Sequence, residues 1–152
     1  MPGPNFELVS ELMPVNRRDF PLADPTLLKP LGSNPLVDGE WLAMDANYAL
    51  ARGAVSTTPL VFPVHTERGR YDTQAIGKVS VLFFGMYEAE TVVYDSTGLA
   101  FGDPLAVADV TFGGLTRRGL KKAVSTQAVV GYVTRLMTGK IRFLHRGVTI
   151  LA

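Results

Sequence analysis

Residues 79–94 read VSVLFFGMYEAETVVY, the longest apolar stretch of the chain and one rich in the β-branched and aromatic residues that suit a pleated strand. Alternate positions put Val79, Val81, Phe83, Gly85, Tyr87, Ala89, Thr91 and Val93 on one face, which is apolar nearly throughout. The other face is apolar only at Leu82, Phe84 and Met86, before Glu88 and Glu90 turn it towards water. Such a strand leaves one core and needs a second apolar partner, either another sheet or another subunit. The run exceeds the usual strand length, and Gly85 marks the place for a bulge or bend that splits it.

From Gly39 onward the pattern predicts strands throughout. Residues 40–45 and 48–52 flank Ala46 and Asn47, a tight turn in which Asn47 can take a left-handed conformation, so a hairpin is expected. Residues 58–64 suggest a short strand limited by Pro59 and Pro63, and 65–75 a polar loop of mixed charge. Residues 105–110 are short and apolar, and Gly113, Gly114 and Gly119 frame a basic loop. Residues 128–136, 140–144 and 148–151 predict three closing strands separated by Thr138-Gly139 and Arg146-Gly147. Valines at 124, 129, 130 and 133 and an interior Gly131 favour strand over helix across 123–137. The expected class is all-β, a small β-barrel or β-sandwich formed by residues 36–152.

Residues 1–35 break this pattern. They hold seven of the ten prolines, which forbid a long helix or a central strand, yet Phe6, Leu8, Val9, Leu12 and Met13 recur among them. An extended proline-rich N-terminal arm is expected, whose apolar side chains dock on its own barrel or on a neighbouring subunit by adding residues 6–9 to an open sheet edge.

Composition narrows the class. The 152 residues are 47% hydrophobic and 19% charged, ordinary globular usage for a chain able to bury about 70% of its unfolded surface. Without cysteine there are no disulfides, thiolate metal sites or cysteine nucleophiles. The first residues carry no basic leader, and no stretch approaches the ~20 apolar residues of a membrane span, so a soluble, unexported protein is expected. The net charge is only +1, but Asp109 is the last carboxylate, and Arg117, Arg118, Lys121, Lys122, Arg135, Lys140, Arg142 and Arg146 follow it unopposed. A basic final third suits an anionic surface, an acidic protein or nucleic acid, or pairs with the chain's own acidic part.

Catalytic chemistry has one weak candidate. His65, Thr66, Glu67, Tyr71 and Asp72 form the densest polar cluster, but their spacing matches no hydrolase signature and alternating charge is usual in a solvated loop. With His145 the only other histidine, no metal-ligand spacing appears, and no metal or cofactor is expected. The segment around Gly113 and Lys122 lacks the Gly-Lys-Ser/Thr ending of a phosphate-binding loop. Tyr132 and Phe143 among Arg135, Lys140 and Arg142 offer the mixture used by nucleic-acid-binding barrels, although their apolar neighbours favour core packing.

Several stretches in order point further: LVDGEWLAMD at 36–45, VHTERGRYDTQA at 64–75, GKV at 77–79, ETVVYD at 90–95, GDPLAV at 102–107 and VVGYV at 129–133. This order resembles head decoration, or cement, proteins of tailed double-stranded DNA bacteriophages, through glycine turns and strand edges rather than a catalytic signature. It departs from them at the proline-rich arm and at the basic residues 116–122. The resemblance implies a non-enzymatic β-barrel that binds the outside of the capsid lattice as an oligomer, a trimer before a dimer, with the major capsid protein as partner and the virion as its location. Leu82, Phe84 and Met86 are then the expected subunit contact. Phe6 and Leu8 of the arm, with Arg117, Arg118, Lys121 and Lys122, are the expected capsid contact. A nucleic-acid-binding barrel is the alternative.

Overall fold

A computed structural model of the chain describes residues 4–27, 34–53, 58–65 and 77–151. They form thirteen strands and a 3₁₀ turn at Pro25–Leu27, with no α-helix among the described residues. The larger sheet is antiparallel and six-stranded. Its order is β1 (Phe6–Glu11), β7 (Tyr87–Thr91), β12 (Lys140–His145), β11 (Gly131–Met137), β8 (Pro104–Phe112) and β9 (Leu115–Lys122). A short pair, β10 (Ala128–Val129) with β13 (Thr149–Ile150), joins its flank where Val130 N–H donates to the Leu105 carbonyl at 2.8 Å.

The remaining strands build a smaller second layer. There β2 (Asn16–Pro21) pairs with β6 (Lys78–Phe84), and β3 (Trp41–Met44) lies between β4 (Leu50–Ala51) and β5 (Val61–Pro63). Two single bridges join these groups, an antiparallel one between Val64 and Val81 and a parallel one between Leu22 and Leu50. The order β2-β6-β5-β3-β4 thereby returns to β2 as a small ring. Phe20, Leu22, Leu42, Leu50, Val64, Val79 and Val81 fill it.

The wall between ring and large sheet explains the apolar run. Trp41 and Leu82 point into the main core with Phe6, Tyr87, Leu105, Ile141 and Phe143, whereas Leu42, Val79 and Val81 on the same strands point into the ring. Strands buried on both faces carry near-continuous apolar sequence. The second apolar partner expected for residues 79–94 is therefore the chain's own second layer. Gly85 does split the run: at φ 130° it turns the chain from β6 to β7, and a Cβ there would lie 2.6 Å from the Pro14 carbonyl oxygen.

Three sequence expectations change in detail. The left-handed residue of the β3–β4 hairpin is Tyr48, at φ 63°, because the Asp45 carboxylate accepts N–H bonds from Asn47 at 2.8 Å and Ala49 at 3.1 Å and sets the turn one residue later. The basic residues 116–122 are not a loop: Gly113 and Gly114, at φ 63° and 77°, make a tight hairpin turn that returns the chain as β9 along the whole of β8. The segment expected as an extended arm is, in its described residues, two strands paired with the body, β1 on β7 and β2 on β6. Pro4, Pro14 and Pro21 sit at strand ends or between strands, where no ladder N–H is needed.

Candidate functional site

The four basic residues expected at a capsid contact split into two pairs. Arg117 is buried, its guanidinium donating to the Pro35 carbonyl at 2.6 Å and reaching Glu40 at 3.5 Å. Arg118 donates to the carbonyls of Gly53 at 3.1 Å and Arg52 at 3.2 Å and pairs with Asp109. Both are committed to holding β9 against residues 34–53. Lys121 and Lys122 are exposed at the end of β9, Lys122 3.4 Å from Asp103. Position along the strand rather than alternation produces this split: Arg117 and Lys121 share a face, as do Arg118 and Lys122, but residues 34–53 cover the strand at 117 and 118 while the terminal lysines lie past the covered part.

Glu40 organises the join. It is fully buried, and its carboxylate accepts from Arg52 Nε and Nη2 at 2.9 and 2.8 Å and from the Val37 N–H at 2.9 Å. The Asn34 side chain donates to the Thr116 carbonyl at 3.0 Å, and Leu120 N–H donates to the Val93 carbonyl at 3.1 Å. These contacts cover the outer edge of β9 with the chain's own groups, one way a protein protects an edge strand. At the other end of the sheet, β1 pairs on one side only among the described residues.

The residues expected at a subunit contact fall around a cleft. Leu82 is buried in the main core and also lines this opening, Met86 is half-buried at its edge, and the Phe84 side chain lies outside the described residues. Phe6 is likewise buried, edge-on to Tyr87 and Phe143, and Leu8 packs half-buried on the same core, so neither is a free capsid-facing group. The cleft, about 290 Å³, runs between Met13, Pro59, Phe62 and Met86, with Tyr87 and His145 among its lining residues. Leu12 and Leu60, next in sequence to the lining residues Met13, Pro59 and Val61, are exposed.

Tyr87 and His145 stack with ring centroids 4.8 Å apart. His145 Nδ1–H donates to the Val130 carbonyl at 2.7 Å, and burial lowers the pKa of the ring, keeping it neutral. Burial pushes the Tyr87 phenol far up, and its hydroxyl, like the Trp41 Nε1–H, has no hydrogen-bond partner among the described residues. The outer face of the sheet carries the third polar group. Glu90 accepts from Lys140 Nζ at 2.8 Å and from Arg142 at 2.6 Å, and these bonds hold its carboxyl below the usual range.

Of the polar cluster around His65, Thr66, Glu67, Tyr71 and Asp72 lie outside the described residues, and His65 itself accepts from Arg17 Nε at 3.0 Å. No group of metal-ligating side chains occurs among the described residues. The two aromatics of the nucleic-acid reading are divided: Phe143 is core and Tyr132 is exposed on β11, while Lys140 and Arg142 are engaged by Glu90. Among the described residues no helix is long and apolar enough to cross a membrane.

Sequence reading missed Glu40 and the stacked Tyr87–His145 pair. A carboxylate directly preceding the apolar strand Trp41–Met44 was the signal for the first, since such a charge needs buried partners. The second had no local signal because its members are 58 positions apart in sequence. Comparison of the chain with protein-family models, with curated proteins and with solved structures gives no match.

Proposed function

We propose that this chain is a virion structural protein that binds the outer surface of a tailed-phage capsid lattice and stabilises it, without catalytic activity. The apolar cleft with its exposed lining residue Met13, and the exposed Leu12 and Leu60 next in sequence to residues that line it, carry this reading, because exposed apolar surface on a folded β body marks a protein–protein contact. The ordered sequence stretches that resemble cement proteins support it from the other direction.

In this reading the ring and curled sheet together are the barrel domain of a homo-oligomer, a trimer before a dimer. The proline-rich segment is the strap along which it meets its neighbours, and the major capsid protein is the partner. Lys121 and Lys122 are the cations available to an acidic capsid exterior, since Arg117 and Arg118 serve the fold. Cohesion comes mainly from apolar burial, at roughly 1.5–3 kcal/mol per fully buried large side chain against at most about 1 for an exposed ion pair.

The test is co-sedimentation with phage heads lacking this protein, comparing the parent with the Lys121→Glu/Lys122→Glu variant. The expected result is binding by the parent and weaker, more salt-sensitive occupancy by the folded variant. Failure of the parent to sediment with heads overturns the proposal, and undiminished occupancy by the variant removes the lysines from the contact.

A further inference from the structure

Phe101 stands out of the surface. Its side chain is 77% exposed, the highest value among the large apolar side chains of the described residues. The turn that carries it is braced: Ala100 N–H donates to the Asp103 carboxylate at 2.8 Å, Asp103 N–H to the Ala100 carbonyl at 3.1 Å, and Gly102 N–H to the Val133 carbonyl at 2.8 Å. Leu99 packs against the main core beneath it. An aromatic side chain held in water by a fixed turn gains nothing within its own chain.

The same chain carries a complementary hole. The cleft of about 290 Å³ between Met13, Phe62, Met86, Tyr87 and His145 is lined mainly by apolar groups, and the buried Tyr87 hydroxyl in its lining has no partner among the described residues. An apolar cavity of about 150 Å³ accepts a benzene ring, so the space is ample for a phenyl group. Charge does not oppose the contact: Asp103 and Asp95 beside the Phe101 turn are balanced by Lys122 and Lys121, and Arg146 lies in the cleft lining without an ion pair among the described residues. Leu12 and Leu60, next in sequence to residues of the lining, add further exposed apolar side chains.

We infer that Phe101 of one copy seats in the Met13–Tyr87–His145 cleft of a second copy. Knob and hole are different patches, the knob braced on β11 and the hole at the junction of β7 and β12 with the ring, so each copy offers one of each. Contacts of this kind repeat from copy to copy and close into a ring when the rotation allows. The inference rests on the oligomer in the reading above and names its contact; it does not require the capsid.

Light scattering of four samples tests it: the parent, Phe101→Asp, Met13→Glu, and an equimolar mixture of the two variants. Both positions are exposed, so both variants should melt as the parent does, and Met13→Glu reads the hole independently of the knob. The parent is expected as a discrete oligomer, and each variant alone as a monomer or with association weakened roughly 30-fold or more, the scale of a lost aromatic hot spot. The mixture should form a two-chain complex, because the intact Phe101 of one variant meets the intact cleft of the other. A monomeric parent, an unchanged mass for Phe101→Asp, or a mixture that stays monomeric overturns the contact. Head co-sedimentation by a monomeric parent would leave the decoration reading standing while this contact fell.

Discussion

Glu40 is gripped by Arg52 through two parallel hydrogen bonds, at 2.9 and 2.8 Å, with the carboxylate wholly out of water and the guanidinium nearly so. A two-point bond between planar groups fixes geometry as well as charge. Here it fixes the ring to the large sheet, because Arg52 follows β4 while Arg117, on β9, approaches the same carboxylate at 3.5 Å.

Removing the charge should therefore cost far more than a surface pair. Glu40→Gln is expected to lower stability by about 3–5 kcal/mol, the range for breaking one side of a buried pair. Arg52→Gln should cost less, since Arg117 remains beside the carboxylate, and the double variant should lose less than the sum of the two. Urea unfolding of the three variants measures this. Additive losses would show that the two side chains act separately.

The fold was legible where burial is two-sided or turns are chemically marked. The run 79–94 announced a strand with two apolar demands, and Gly85 its break, because both facts reside in neighbouring residues. The identity of the second partner did not reside there. Whether Leu82 meets a sheet or a subunit depends on residues such as Trp41 and Val61, which are distant in sequence and share its core. Charge was misleading for the same reason. Arg117 and Lys121 look alike in a basic stretch and share a face of β9, and only the sequence-distant Pro35 and Glu40, which reach the first and not the second, bury one and leave the other in water. The proline-rich segment was read as an arm because proline excludes central strands. It does not exclude edge strands that lie between prolines, as Phe6–Glu11 does between Pro4 and Pro14.

Gly119 gives a second prediction. Its strand passes so close to residues 93–95 that a Cβ there would lie 2.5 Å from both Val110 Cγ2 and the Val93 carbonyl oxygen. Gly119→Ala is expected to destabilise by about 1–3 kcal/mol through forced displacement, a fall of roughly 3–10 °C in melting temperature for a chain of this size. Gly53→Ala is the control, because nothing among the described residues lies within 4 Å of its added methyl group. Calorimetry should show Gly53→Ala melting with the parent; equal melting of both variants would mean that β9 relaxes away from residue 93 at no cost.

Acid should erode stability in two stages that belong to different residues. Burial depresses His145, so from its ordinary value of 6.5 downward the unfolded chain binds a proton that the folded chain refuses, and stability falls until the folded pKa is passed. The groups that face the ring are the stacked Tyr87, the Trp41 indole and the Val130 carbonyl, with Arg146 its neighbour in the cleft lining. None is an anion that could favour the imidazolium. Glu90 acts lower on the scale. Hydrogen bonds from Lys140 and Arg142 depress it below 4.5, so its contribution is complete above that value and is lost as pH falls through the folded pKa. Melting temperature followed from pH 8 to pH 3 should accordingly drop first below about 6.5 and again below about 4.5. His145→Asn should flatten the first stage and leave the second, while Glu90→Gln should do the reverse. An unaltered first stage in His145→Asn would show that the buried imidazole is not its source.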